Sequence, residues 1–138
     1  MRVLGYVTSR SFQGLTIPVP AQNSCLREFA KAQKLPYVLP PLEHYFEDCY
    51  MQLFTVLKSM QHGDIIAMYS AAMLPTNKNK LEFIFSELKH LDGKIHFVLE
   101  AKTIKNLNEV KSLLFSYSLK NMFDNMYQLD IASLRKLI

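Results

Sequence analysis

Residues 63–75, GDIIAMYSAAMLP, decide how the rest of the chain is arranged. The first two residues are typical of a turn, and the apolar run 65–69 is too short for a helix between such boundaries. It therefore predicts a buried central strand. The run ends in the polar residues Tyr69 and Ser70. Because ligands of open parallel sheets bind just past the carboxyl ends of the strands, we expect a site beside these two residues.

The composition is typical of a globular chain. Hydrophobic residues make up 49% and charged residues 20% of 138 residues, and we expect a single domain over 1–138. No apolar run is long enough for a bilayer, and Met1 leads directly into a strand-like segment without a signal peptide, so a cytoplasmic protein is expected. Cys25 and Cys49 are predicted to be buried thiols on helix faces. The net charge of +4 permits anionic ligands without requiring them.

Apolar patterning predicts strands and helices that alternate along the chain. Strands are expected at 1–8, 36–39, 65–69 and 94–99, and helices at 20–33, 46–60, 77–92 and 104–119, with a short strand and a terminal helix in 124–138. Alternation of this kind predicts an α/β fold with three layers. We expect a mostly parallel sheet of four or five strands with helices on both faces.

Several residues mark where these elements begin, end or approach one another. Gly5 allows a close backbone approach in the first strand, and Pro20 suits the first turn of a helix. Asn77 is expected to begin the third helix. Asp92 and Gly93 end that helix, with Gly93 predicted as its left-handed cap.

Polar side chains follow every predicted strand. They are Ser9, Arg10 and Ser11 after the first, Glu43 and His44 after the second, Tyr69 and Ser70 after the third, and Glu100 after the fourth, with Gln22 and Asn23 at the start of the first helix. A helix N-terminus has free N–H groups and a positive dipole end, and a neighbouring arginine suits a phosphate or carboxylate. The alternative is that Arg10, Gln22 and Asn23 only cap the helix and fix the loop.

The acidic residues of this group have two interpretations each. Glu43 beside His44 is either an acid–base pair or an ordinary exposed loop dipeptide. Glu100 is either a general base or an ion-pair partner of Arg10.

The hydroxyl groups and the lysines near this edge also have two interpretations each. The hydroxyls of Tyr69 and Ser70 either bind a ligand or satisfy local backbone groups. Four lysines are expected near the same edge, where they either form a solvated face or steer anions: Lys78, Lys80, Lys102 and Lys105.

No metal or cofactor is expected. The four histidines lack ligand spacing, and neither cysteine has a close partner in sequence. A Gly-rich dinucleotide fingerprint, a P-loop and a GxSxG elbow are all absent from the sequence.

The first hundred residues resemble the catalytic domain of serine recombinases. The residues that carry the resemblance, in the same order and at similar spacing, are Gly5, Tyr6, Gln22, Leu26, Gly63, Asp64, Leu88, Gly93 and Glu100. The resemblance implies a resolvase-like fold.

The residues that perform recombinase chemistry are not in place. Arg10 stands where the resemblance expects the serine nucleophile, Thr8, Met73 and Thr76 stand where it expects arginines, and Tyr50 falls near the point of a further expected arginine. Phosphoryl transfer needs concentrated positive charge around the phosphate, so we do not expect an active serine recombinase. A helix-turn-helix domain after residue 138 is not expected either, and DNA binding is therefore not the leading hypothesis.

A second resemblance extends over nearly the whole chain. GYVTSRSFQGLTIPVPAQN, YVLPPLEH, YSAAMLP and HFVLE resemble a small bacterial family that occurs sporadically in surface-carbohydrate gene clusters for lipopolysaccharide O-antigen and capsule. The resemblance implies a role in surface-polysaccharide biosynthesis. The shared stretches are the strand ends and loops described above, which supports a site there.

The leading hypothesis is a protein that binds or modifies an anionic sugar derivative, such as a nucleotide sugar, at the carboxyl edge of the sheet. Anion binding is assigned to Arg10, Gln22 and Asn23, hydroxyl contacts to Ser9, Tyr69 and Ser70, and acid–base work to Glu43 or Glu100. The alternatives are a non-catalytic scaffold or regulatory subunit and a degenerate recombinase domain that binds DNA or self-associates. One apolar set is either a homo-oligomer surface or ordinary core. It consists of Leu113, Leu114, Phe115, Met122, Phe123 and Met126.

Overall fold

The computed structural model describes residues 1–12, 14, 16–41, 43 and 49–114. Its strands are β1 (Val3–Gly5), β2 (Tyr37–Val38), β3 (Ile65–Met68), β4 (Lys94–Phe97) and β5 (Lys102–Ile104). Its helices are α1 (Val19–Ala32), α2 (Met51–Ser59) and α3 (Lys78–Leu91), with a short 3₁₀ turn at Ala71–Met73 and a fourth helix, α4, of which residues 107–114 are described. The predicted elements in 124–138 lie outside the described residues.

The five strands form one sheet in the order β2-β1-β3-β4-β5. The first four are parallel, with Val3 opposite both Tyr37 and Ile65, and β5 runs antiparallel to β4. The sequence-based prediction of a mostly parallel sheet of four or five strands is therefore confirmed. Because residues 5, 38, 68 and 97 all end strands that run the same way, the polar residues after them lie at one edge of the sheet.

Side chains of the central strands alternate between two cores, which is why helices cover both faces. One core contains Val3, Ile65 and Ala67 together with Leu26 and Ala30 of α1. The other contains residues of β1, β3, α2 and α3: Leu4, Tyr6, Ile66, Met68, Leu53, Leu57, Ile84 and Leu88. The three-layer arrangement follows directly from this alternation.

The helix predicted from Ile104 onward is wrong at its start, because Lys102–Ile104 forms β5. Residues 98–101 make a turn in which Ala101 has φ 54°, and this left-handed residue reverses the chain beside β4. A four-residue turn leaves no room for a crossover helix, so the next segment pairs antiparallel. Of the predicted oligomer surface, Leu113 and Leu114 are half-buried against the core, and the other four residues lie outside the described part.

Most helix boundaries match their sequence signals. Pro20 lies in the first turn of α1, and the side chain of Asn77 caps α3 by accepting a 3.1 Å hydrogen bond from the backbone N of Lys80. The left-handed residue at the end of α3 is Asp92, with φ 50°, rather than Gly93. A Cβ at Gly93 would be crowded, because it would lie 3.1 Å from Leu88 Cδ2 and 3.3 Å from the backbone oxygen of Asp64, as well as 2.8 Å from the terminal methyl of Met60.

Two further expectations are corrected in the first half of the chain. The sequence predicts the second helix from residue 46, but α2 begins at Met51, after the non-helical residues 49 and 50. Residues 44–48 lie outside the described residues. Cys25 and Cys49 are only half-buried, and Cys49 precedes α2 rather than lying on a helix face.

Candidate functional site

Arg10 lies at the carboxyl edge, where the structure connects it to the segment before α2. Its guanidinium donates to the carbonyl of Cys49 and, at 3.3 Å, to the phenol oxygen of Tyr6. The guanidinium carbon also lies 4.4 Å from the ring centroid of Tyr50, a cation–π distance. Arg10 therefore joins the loop after β1 to the start of α2.

Glu43 is buried, with only 2% of its surface exposed, and it caps α2 from a distance. Its Oε2 accepts hydrogen bonds from the backbone N–H groups of Gln52 at 3.0 Å and Leu53 at 3.3 Å. The same oxygen accepts a 3.0 Å bond from the phenol of Tyr6. A carboxylate in this place satisfies two orphan donors of the helix and interacts favourably with its dipole.

Burial raises the pKa of Tyr6 well above its ordinary value, and the neighbouring negative charge of Glu43 raises it further, whereas Arg10 acts in the opposite direction. Tyr6 is therefore a neutral phenol that accepts from Arg10 and donates to Glu43. These contacts show what Glu43 does for the fold, and its predicted acid–base role stays a prediction. His44, its predicted partner, lies outside the described residues.

Gln22 fixes the loop after β1, whereas Asn23 joins α1 to β2. The Gln22 amide nitrogen donates to the carbonyls of Thr8 at 2.7 Å and Ile17 at 2.8 Å, and its oxygen accepts from the Thr8 backbone N at 3.3 Å. Asn23 Oδ1 accepts a 2.6 Å bond from the Tyr37 phenol. The bonds of Gln22 fix the loop, α1 has no side-chain cap among these contacts, and the predicted ligand-binding roles of Gln22 and Asn23 stay predictions.

The two serines beside Arg10 are exposed. Ser11 shares a 2.7 Å hydrogen bond with the hydroxyl of Thr16 within the same loop.

Ser70 and Glu100 join the loop after β3 to the turn after β4. The Ser70 hydroxyl, which is fully buried, donates to Glu100 Oε1 at 2.8 Å and accepts from the Ala72 backbone N at 3.1 Å. The Ala71 backbone N donates to the same carboxylate at 3.2 and 3.3 Å. Tyr69 packs its ring 6.1 Å from that of Phe12.

A polar pocket of about 280 Å³ opens where α2 and α3 begin, and we call it the edge pocket. It is lined by Tyr50, Pro75, Thr76, Asn77 and Lys80. Lys80 Nζ lies 5.4 Å from the Tyr50 ring centroid, so Tyr50 has two cations over its ring, Lys80 and Arg10. The first turn of α3 carries no acidic residue.

Sequence reasoning did not select the edge pocket, although two signals for it were present. Tyr50 and Thr76 both line it, and the recombinase resemblance expects an arginine at the position of Thr76 and another near Tyr50. Lys80 brings a positive charge to the same place from one turn further along.

Of the four lysines predicted for the carboxyl edge, three lie there and one lies at the opposite edge. Lys78 and Lys80 lie at the start of α3, and Lys102 lies opposite Phe97 at the end of β4. Lys105 lies at the opposite edge, 3.9 Å from Asp92 at the end of α3.

Three larger cavities, of about 530, 570 and 350 Å³, are lined by other described residues, and the third, at the start of α1, is lined by Val7, Val19, Pro20, Asn23, Leu39 and Pro40. The first is lined by the last turns of α3 and by Lys105, and the second by β5 and α4. Some of the charged groups around the first two cavities have partners, since Lys105 pairs with Asp92 and Glu109 accepts from the Lys105 backbone N.

Within the described ranges, no three histidine, cysteine or acidic side chains are grouped so that they could hold a metal ion. The helices in that part of the chain are all too short or too polar to cross a membrane.

The fold is similar to that of serine recombinase catalytic domains. A resolvase family site-specific recombinase from Streptococcus pneumoniae superposes with a TM-score of 0.57 at 10% identity, covering 99% of this chain and 97% of that one. The N-terminal catalytic domain of TP901-1 integrase superposes with a TM-score of 0.52 at 13% identity, covering 92% and 98%. No protein-family model and no curated protein matches the sequence. At such low identity the likeness defines the resolvase-like fold alone.

Proposed function

We propose that this protein is a resolvase-fold domain that binds phosphate groups of DNA at the edge pocket and does not perform serine-recombinase cleavage. The observation that carries the proposal is the convergence of Arg10 and Lys80 on the ring of Tyr50, beside a pocket about 280 Å³ in volume.

The chemistry of the edge pocket suits a phosphate. Lys80 supplies a positive charge, and Thr76 and Asn77 are exposed polar residues on the pocket wall. The pocket also adjoins the positive dipole end of α3. On α3 itself, the acidic residue nearest in sequence to Lys80 is Glu82, which lies 3.9 Å from Lys78.

The same residues argue against cleavage. Arg10, at the position of the nucleophile, is held by Cys49, Tyr6 and Tyr50. Met73, at the position of an arginine, is buried in the core with 2% exposure. With a guanidinium in place of the nucleophile and a thioether in place of a cation, a phosphoryl-transfer transition state would have little support.

DNA is the source of phosphate that the structural neighbours favour, since their names describe a site-specific recombinase and an integrase. The net charge of +4 is compatible with a polyanion. The proposal therefore reverses the order of the sequence-based hypotheses, in which DNA binding came last.

A second candidate is an anionic sugar derivative. The edge pocket has room for one small charged group rather than for an extended backbone, and the carbohydrate-cluster resemblance supports a nucleotide sugar or a sugar phosphate. This candidate uses the same positive charge, so the two must be separated by experiment.

The first test measures DNA affinity against salt. A fluorescein-labelled 20-mer duplex is titrated with the protein by anisotropy at several NaCl concentrations. Each phosphate contact adds roughly one unit to the salt slope, so Lys80→Ala should weaken binding about three- to tenfold and reduce the slope by about one. Lys89→Ala is the matched control, because it removes the same charge from the last turn of the same helix. Equal effects of the two variants would contradict a site at the edge pocket.

The second test separates the remaining candidates. Thermal shift is measured with nucleotide sugars, sugar phosphates and sialic-acid-like acids, because a bound ligand raises the melting temperature by mass action. A shift that Lys80→Ala abolishes, together with DNA binding that does not depend on Lys80, would favour the sugar candidate. If no sugar ligand shifts the melting temperature and DNA does not bind, the scaffold hypothesis is favoured.

A further inference from the structure

Helices α2 and α3 carry two rungs of contacts that lead away from the edge pocket. The first rung is Lys80 Nζ at 5.4 Å from the centroid of Tyr50. The second is the ring pair of Phe54 and Phe83, whose centroids are 5.8 Å apart at an interplanar angle of 60°. Residues three or four apart share a helix face, so Phe54 follows Tyr50 and Phe83 follows Lys80 along the same seam. An aromatic pair therefore lies one helical turn from the cation.

The aromatic rung is open to solvent on one side. Phe54 packs against the core, whereas Phe83 is 49% exposed. Met51, also on α2, is 62% exposed. An edge-to-face pair leaves at least one ring face outside the contact, and that face is available to another flat group.

A cation beside an exposed aromatic ring is the combination by which proteins bind single-stranded nucleic acid: the positive charge binds the backbone, and the ring stacks on a base. A duplex satisfies only the first of these contacts, because its bases are paired and stacked inside the helix. The two rungs, one charged and one aromatic, therefore favour a strand whose bases are free.

We propose that the α2–α3 seam binds single-stranded nucleic acid, with a phosphate at Lys80 and Tyr50 and a base stacked on Phe83. The inference rests on the proposed phosphate site and specifies the form of the ligand. Lys80 supplies the charge that binds the phosphate, and Phe83 supplies the ring that stacks on the base. Their contributions to the affinity can therefore be removed separately by substitution.

The test uses three labelled 20-mers with the full chain: oligo-dT, an abasic strand with the same number of phosphates, and a duplex. Anisotropy should show oligo-dT binding about tenfold tighter than the abasic strand. Phe83→Ser should reduce oligo-dT affinity to that of the abasic strand and leave the abasic affinity unchanged. Lys80→Ala should weaken both strands by a similar factor. Leu99→Ser is the matched control, because Leu99 has the same 49% exposure but lies in the turn after β4.

A second variant keeps the test independent of folding defects. The sequence contains no tryptophan, so Phe83→Trp introduces a single tryptophan at the proposed stacking position, and its emission can be excited selectively over that of the seven tyrosines. Oligo-dT should quench its emission, and the abasic strand should not. Equal affinity of the wild type for oligo-dT and the abasic strand would overturn this inference and leave the phosphate site standing. Failure to bind any of the three would overturn the proposed function itself.

Discussion

The phenol of Tyr6 donates a 3.0 Å hydrogen bond to Glu43 Oε2, and this bond joins the end of β1 to the start of α2. Through it, the guanidinium of Arg10 and the N-terminus of α2 share one buried network. Tyr50 immediately precedes α2, so the network also sets the position of a wall of the edge pocket.

Replacing Glu43 should destabilise the protein markedly. Glu43→Ala leaves two helix N–H groups and the Tyr6 phenol without their acceptor, at a cost of about 2–4 kcal/mol. Glu43→Gln keeps an acceptor oxygen and should cost roughly half as much. Urea unfolding followed by circular dichroism gives both values. Glu28→Ala, on the exposed side of α1, is the control and should change stability by less than about 0.5 kcal/mol. An equally small effect of Glu43→Ala would contradict the capping role.

A side chain at Gly5 should be tolerated only if Tyr37 changes. A Cβ at Gly5 would lie 2.4 Å from the Tyr37 phenol oxygen, so Gly5→Ala should cost about 1–3 kcal/mol. Tyr37→Phe removes that oxygen and leaves the nearest atom at 3.1 Å. In a double-mutant cycle measured by urea unfolding, the double variant should therefore lose clearly less stability than the sum of the losses of the two single variants. Additive costs would mean that the clash is relieved by another movement.

Stability should fall between about pH 6.5 and the lower pKa of His96 in the folded protein. Burial lowers the pKa of His96, whose ring stacks on Phe29 at a centroid distance of 3.8 Å. The unfolded chain therefore binds a proton at a higher pH than the folded one, so the unfolding free energy decreases as pH falls through this window. His96→Phe keeps a ring and should flatten the profile there. An unchanged slope in that variant would assign the decrease to other groups.

A second loss of stability is expected in acid, from the ion pair of Arg2 and Asp64. Burial acts to raise the pKa of Asp64, but hydrogen bonds from the Arg2 side chain and from the backbone of Gln61 and Arg2 outweigh it and hold the pKa below its ordinary value. This contribution is complete above about pH 4 and is lost as pH falls through the folded pKa.

Asp64→Asn should remove that acid-dependent step, and Arg2→Ala should move it to higher pH, because the buried carboxylate loses its 2.8 Å partner. Unfolding free energies measured from pH 2 to 6 provide the check. Acid profiles identical to the wild type would show that other carboxylates dominate.

Much of the architecture could be predicted from local signals. The apolar run before Tyr69, the Asn77 cap and Pro20 specify their elements through backbone chemistry that depends on nearby residues. The strand β5 was missed because its local signal is weak. The antiparallel β5 follows from one left-handed residue, Ala101, for which alanine gives no warning.

The sequence by itself determined that the residues after the first four strands reach one edge, because strands that alternate with helices run parallel. Tertiary structure alone decided what they contact there. Glu43 caps a helix nine residues away, and Lys80 meets Tyr50 across thirty residues of chain. Such contacts depend on how two helices pack against one sheet, and the periodicity of either helix carries no information about the other.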